Sequence, residues 1–210
     1  MQWVLHDAAV SSCLSANGNA RSMAKRIAVG NCVADATTYS RASAVAGHPG
    51  APGKVHSAGT WQEDDVRQRL AGALGTRLAS ALRPQFEWYY CRGAFFHNDA
   101  HYDARLFGVW CIEGPAMQLV FPRAALRVDI VPSSIVIFDP FEIHGVLAPG
   151  LRTYAASDYE AVSASVFIGF ELDIDDEVAD AFGIDDDLTG QVISSNSRID
   201  PASGTISSAR

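Results

Sequence analysis

The spacing of apolar positions changes character along the chain. Up to about residue 60 no period is sustained: Ala, Ser, Gly and Asn are abundant, and residues 48–54 (HPGAPGK) form a loop by composition. A short helix over residues 20–27 is the one element this region predicts, and residues 1–59 are expected to be an irregular arm. At Thr60 a helical spacing sets in. Thr60-Trp61-Gln62-Glu63 has the form of a capping box, in which the hydroxyl accepts a first-turn N–H and the glutamate reaches back. Val66, Leu70, Leu74 and Leu78 then recur on one face, so a helix over residues 60–82 is predicted, ended by Pro84.

From Phe86 the pattern becomes that of strands. FEWYYCRGAFF is rich in aromatic residues, and LFGVWCI, MQLVF, LRVDIV, IVIFD and SASVFIGFEL follow, divided by Gly- and Pro-containing turns. Short strands at close spacing with such turns predict an antiparallel sandwich or barrel, not alternating βαβ units. The expected organisation is the arm (1–59), a helix plus β core (60–172), and an acidic then polar extension (173–210) packed on the core or trailing from it. Within the extension a short helix over 176–182 is expected, and the last residues are expected to be extended over a partner or disordered. The acidic run lacks the glycine and terminal glutamate register of a calcium loop.

Composition narrows the class. Apolar residues make up 48% of the 210-residue chain and charged residues 19%, which suits a soluble globular protein. A net charge of −8 argues against a nucleic-acid surface, which needs a basic face. No segment approaches the roughly 18 apolar residues that cross a bilayer. The start, MQWVLHDAAVSS, has no basic leader followed by an apolar run, so no secretory signal is expected. Cys13, Cys32, Cys91 and Cys111 form no C-x-x-C pair and are expected as free thiols in a reducing cytoplasm.

The candidate chemistry lies in two stretches. GAFFHNDAHYD (93–103) places His97, Asp99, His101 and Asp103 at alternate positions, and FDPFEIHGV (138–146) supplies His144. On a strand, residues i and i+2 share a face, so either His97/Asp99 or His101/Asp103 can grip one metal, and parity does not choose between them. Two imidazoles and a carboxylate suit Fe(II) and leave coordination positions open. About four short strands fit between Asp99 and His144, the interval at which a jelly roll returns a strand to the same mouth. His6, His48 and His56 are scattered and expected to be ordinary surface residues. Of Trp88, Tyr90, Phe95, Phe96, Tyr102 and Trp110, alternation sends about half into the core and leaves the rest to line a pocket.

Tyr90-x-x-Gly93-x-x-x-His97-x-Asp99 resembles the entry to the iron site of Fe(II)/2-oxoglutarate-dependent oxygenases, and SIVIFDPFEIHGV (134–146) is similar to the segment that carries their distal histidine. The resemblance covers about residues 86–172. It implies a double-stranded β-helix (jelly roll, cupin-like) with flanking helices, metal ligands His97, Asp99 and His144, Fe(II), and 2-oxoglutarate as co-substrate, whose decarboxylation drives oxidation of the substrate. It also implies a basic residue beyond the distal histidine to pair with the far carboxylate of 2-oxoglutarate, where a guanidinium fork is well suited. Here the last core strand holds no basic residue. Arg152, in a loop-like setting, is the foremost candidate. Arg123, Arg127, Arg92 and Arg105 are further ones, and Tyr90 is a co-substrate-binding candidate within the motif. The expected partners are a small-molecule or amino-acid substrate and a second copy of the chain in a homodimer, with neither membrane nor nucleic acid. Two alternatives stand beside this: a cupin-like metalloprotein with His101 as third histidine ligand and no 2-oxoglutarate chemistry, and a non-enzymatic β-sandwich binding module.

Overall fold

The computed structural model describes residues 3–47, 50–102 and 104–207. In chain order, β1 (Val4–Asp7), β2 (Ser11–Leu14), β3 (Ala20–Ser22) and β4 (Arg26–Asn31) precede helix α1 (Ala36–Ala46), strand β5 (Val55–Trp61) and helices α2 (Asp64–Leu74) and α3 (Thr76–Ala79). Eight strands follow: β6 (Phe86–Cys91), β7 (Ala94–His97), β8 (Arg105–Glu113), β9 (Met117–Phe121), β10 (Leu126–Ile130), β11 (Ser134–Phe138), β12 (His144–Leu147) and β13 (Ser165–Asp173). The chain then forms α4 (Asp176–Phe182), β14 (Gln191–Ser194), β15 (Arg198–Ile199) and β16 (Ile206–Ser207).

The eight central strands pass between two sheets. β11, β8, β13 and β6 lie side by side in the larger sheet, and β10, β9, β12 and β7 make up the smaller one. Their pairings are antiparallel throughout. Two facing four-stranded antiparallel sheets traversed in this order are a jelly roll, so the fold is the mainly β double-stranded β-helix with flanking helices that the sequence leads one to expect. β4 and β1 extend the larger sheet at one edge and β5 at the other, making seven strands.

Alternation on these strands separates two cores. Phe86 and Trp88 of β6, with Trp110 and Ile168, face outward and are covered by Val66, Leu70 and Leu74 of α2. Trp110 is fully buried, and its indole N–H donates to the Cys32 carbonyl at 2.7 Å. Phe107, Phe121, Phe138 and Val146 fill the space between the sheets. Each such side chain contributes about 1.5–3 kcal/mol on burial, which makes the two layers the main source of cohesion.

Several local expectations give way to sheet pairing. Residues 1–59 are not an irregular arm: β1, β4 and most of β5 come from them. The helix expected over 20–27 is instead β3 and β4, because β3 pairs with β2 and β4 is held between β1 and β11. Thr60 and Trp61 do not cap a helix either. They pair with Glu87 and Phe86 of β6, the helix starts at Asp64, and Glu63 makes no side-chain cap. The expected single helix also breaks at Gly75, whose φ of 77° is outside the helical region. Of the 48–54 loop, His48 and Pro49 lie outside the described residues.

The extension beyond β13 packs on the core rather than trailing from it. α4 falls on the residues expected, with the Asp175 carboxylate accepting from the Val178 N–H at 2.8 Å and Gly183 in the left-handed region at the other end. β14 runs parallel to β2, and β15 and β16 form a small antiparallel pair. Gly204 between them, at φ 73°, lies against Phe96: a Cβ there would come within 2.9 Å of the ring.

Candidate metal centre

His97 and His144 reach one another because the sheet corner before β7 can be turned. Gly93, which ends the turn between β6 and β7, has φ 64°, and a Cβ on it would meet the Tyr159 ring at 2.5 Å. Only glycine satisfies both conditions. The turn carries the chain from the larger sheet into the smaller one, where His97 of β7 lies directly opposite His144 of β12.

Asp99 lies just beyond β7, and its N–H donates to the Pro140 carbonyl at 2.7 Å. That bond stitches it to the turn before His144. The turn itself is held by Asp139, which is 2% exposed. Its carboxylate accepts from the Arg21 guanidinium at 2.6 and 3.1 Å, from the Ala24 N–H at 2.9 Å and from the Phe141 N–H at 3.1 Å. The F-D-P-F segment therefore depends on an arginine from β3, far away in sequence.

The ligand atoms of His97, Asp99 and His144 all lie within 4.8 Å of one another. Asp99 Oδ1 is 3.8 Å from His97 Nε2, and its Oδ2 is 3.5 Å from His144 Nε2. His97 Nδ1 is 2.7 Å from the Phe95 carbonyl and His144 Nδ1 is 2.9 Å from the Glu142 carbonyl. A carbonyl only accepts, so each Nδ1 carries a hydrogen, and Nε2 is the atom left to face Asp99 and, in the neutral ring, to bind a metal. Fixing the tautomer from behind is how ligating histidines are usually oriented.

The electrostatics treat the two histidines differently. Burial and the neighbouring His144 lower the His97 pKa, with Asp99 acting the other way. Burial raises the Asp99 pKa, but the hydrogen bond and charge of His144 outweigh it and hold the carboxyl below the usual range. Burial also lowers the His144 pKa, and Asp99 more than offsets it, so His144 sits above the ordinary histidine value. Next to the site, burial pushes the Glu142 carboxyl up to about 7 against the opposing charge of Arg123.

The three residues line a cavity of about 400 Å³ whose walls come from both sheets. Phe107, Phe138, Phe167, Leu119 and Val146 give it an apolar wall, while Ser57, Glu87, Tyr89, His101 and Tyr102 give it a polar one. His101 lines this cavity, its ring tilted against Tyr102 at 4.1 Å, but it is not one of the three clustered ligand residues; Asp103 lies outside the described residues.

The other candidates are placed elsewhere. Tyr90 has the parity of Trp88, so it faces the helical side and stacks on His56 at 5.2 Å. Arg152 is exposed. Arg123 pairs with Glu142 at 3.5 Å and also donates to the Ser11 hydroxyl. Arg127 donates to the Leu151 carbonyl, Arg92 to Gly50 and Glu160 carbonyls, and Arg105 pairs with Glu171. Of the six aromatic pocket candidates only Tyr102 lines the cavity. Glu87 and Tyr89, which line it, went unnoticed in the sequence, although they share the parity of Cys91 and oppose that of buried Trp88.

No family model and no curated protein matches the chain. Among solved structures it is similar to the non-heme alpha ketoglutarate dependent carbocyclase SnoK from nogalamycin biosynthesis, at 14% identity and a TM-score of 0.44, over 71% of this chain and 80% of that one. It is similar to a Pseudomonas putida prolyl-4-hydroxylase at 14% identity and a TM-score of 0.42, over 70% of this chain and 92% of that one. A third likeness is to the polyketide cyclase RemF from Streptomyces resistomycificus, at 15% identity and a TM-score of 0.29, over 41% of this chain. The chain spans about half of that protein, 52% of its length.

Proposed function

We propose that the protein is a mononuclear iron(II)-dependent oxygenase acting on a small organic molecule, with His97, Asp99 and His144 as the ligand set. The observation that carries this is the convergence of two imidazole Nε2 atoms and one carboxylate within 4.8 Å, with both Nδ1 positions pinned to backbone carbonyls. Two neutral imidazoles and one carboxylate are the donor set of non-haem iron sites that keep positions open. Iron held there supplies activation of dioxygen beside the apolar cavity. The protein's own part is to hold the histidine tautomers, to keep Asp99 ionised, and to exclude water with the Phe107, Phe138 and Phe167 wall.

The donor set fits a divalent metal; the cavity does not fit 2-oxoglutarate in the same way. Among the described residues that line it, none is Lys or Arg. The far carboxylate of 2-oxoglutarate, buried without a cation, would pay a heavy desolvation penalty. Glu87 on the same wall adds like charge. No step is therefore assigned to 2-oxoglutarate; the reading kept is a metal centre that works without it, on His97, Asp99 and His144 rather than on the three-histidine set with His101.

Two additions to anaerobic, iron(II)-loaded protein test the proposal. Nitric oxide, a stand-in for dioxygen, should bind and change the electron paramagnetic resonance spectrum. A silent spectrum would mean that the iron has no open position and is not an oxygenase centre. 2-Oxoglutarate should give no saturable heat by calorimetry, in the native protein and in Arg152→Ala alike. Saturable binding that Arg152→Ala weakens tenfold or more would restore it as co-substrate.

A further inference from the structure

The wall of the cavity carries a second polar group that the metal site does not use. Glu87 and Tyr89 are two apart on β6 and share its inward face, and both line the cavity together with Tyr102 and Phe107. The Tyr89 hydroxyl donates to Glu87 Oε2 at 2.7 Å. With that hydrogen committed, the Tyr102 hydroxyl, 3.1 Å away, donates to the Tyr89 oxygen. Two hydroxyls thus form a chain that ends on one oxygen of a carboxylate.

The carboxylate has no ion-pair partner among the described residues, whereas Glu171 and Asp173 on β13 are matched by Arg83 and Arg105. Aromatic rings line the cavity with it: Tyr89 touches it through the hydroxyl, and Phe107 stacks on Tyr102 at 5.1 Å and meets Tyr89 edge-on at 6.3 Å. An acid beside three aromatic rings, in a cavity whose described lining has neither Lys nor Arg, offers an organic cation both charge and π-faces. A neutral ligand uses neither, and an anion is repelled.

We infer, building on the metal-cavity reading above, that the substrate is an organic cation, an amine protonated at neutral pH or a quaternary ammonium, whose charged group docks on Glu87 in the part of the cavity lined by Tyr89, Tyr102 and Phe107. Glu87 is then a specificity-determining residue, and the remainder of the molecule extends through the apolar part of the cavity toward His97, Asp99 and His144.

The test compares benzylammonium with benzyl alcohol, which carry the same ring with and without a positive charge. Binding is measured by calorimetry on metal-free protein and by paramagnetic broadening of the probe's proton resonances on manganese(II)-loaded protein. Benzylammonium should bind at least tenfold more tightly than the alcohol and be broadened by manganese. Glu87→Gln, which keeps an acceptor for Tyr89, should bring the cation to the level of the alcohol and leave manganese affinity and melting temperature unchanged. Equal affinity of the two probes, or a preference that survives Glu87→Gln, would overturn the inference. Failure of manganese to bind would remove the metal reading alone, since the calorimetric comparison still decides the role of Glu87.

Discussion

His97 and His144 face each other across neighbouring strands, with ring centroids 4.5 Å apart, and each donates Nδ1–H to the carbonyl two residues before it. The repeated contact has a backbone cause. In each case the ring folds back along its own chain onto the carbonyl two residues earlier, in β7 for His97 and in the turn before β12 for His144. Both Nε2 atoms are thereby turned toward Asp99, without any side-chain hydrogen bond behind the rings. The tautomers are set by main chain, so the site's precision depends on how firmly β7 and the turn before β12 are held.

That dependence gives the first expectation. Asp139 holds the turn through Arg21 and two backbone N–H groups. Asp139→Ala removes the carboxylate from Arg21 and leaves two buried backbone donors unmet, and should cost about 1–3 kcal/mol or more in urea denaturation, as an unsatisfied buried donor does. Metal affinity should fall with it, although Asp139 touches no ligand atom. Asp139→Asn keeps an acceptor and should lose less of both. A fully stable Asp139→Ala protein would show that the turn is held by other means.

The second expectation concerns the buried thiols. Cys91 and Cys111 are buried and free, and burial pushes both thiols up to about 12. A thiol whose folded pKa exceeds its unfolded value binds more protons in the native state once pH passes the unfolded value. Stability from this source is therefore full below about 9 and is lost between about 9 and 12. Replacing both residues with alanine should flatten the alkaline fall in melting temperature. In native protein at neutral pH neither thiol should react with a disulfide reagent; rapid labelling without denaturant would contradict their burial.

The third expectation concerns the end of the chain. Ile193 on β14 is fully buried with Phe141 and Ala100, and the Phe96 and Tyr154 N–H groups donate to the Pro201 and Ala202 carbonyls at 2.9 Å. Deleting the chain from Gln191 onward uncovers the back of the metal turn. It should lower stability by at least about 2 kcal/mol, the worth of one such buried aliphatic side chain. An unchanged melting temperature would mean that this segment is dispensable.

These cases show what the sequence could convey. Between Phe86 and Asp173 most strands were legible, since alternation and Gly/Pro turns are local signals, but β6 and β7 read as one run and the short β12, which carries His144, was not foreseen. The ligand set was legible too, through the resemblance, because strand parity alone left His101 and Asp103 as an equal choice. What failed was decided by distant pairing. Thr60 and Glu63 have the chemistry of a helix start, but β6 offered Thr60 a strand partner. β3 and β4 lack a clear alternation and take their form from β2, β1 and β11. Tyr90 was selected by its place in a motif, and its parity sends it to the other side of the sheet. Arg21 carries no local mark of its tie to Asp139.

The central claim is that His97, Asp99 and His144 form one metal site, and anaerobic calorimetry with iron(II) tests it most directly. The expected result is a single site per chain in the native protein and in His56→Ala. His97→Ala, Asp99→Ala and His144→Ala should each weaken it by more than the roughly 10–100-fold that loss of an outer-shell partner causes, with the folded state confirmed by melting. His48 lies outside the described residues and serves as no control. No iron binding in the native protein, or binding that survives His97→Ala and is lost in His101→Ala, would contradict the assignment.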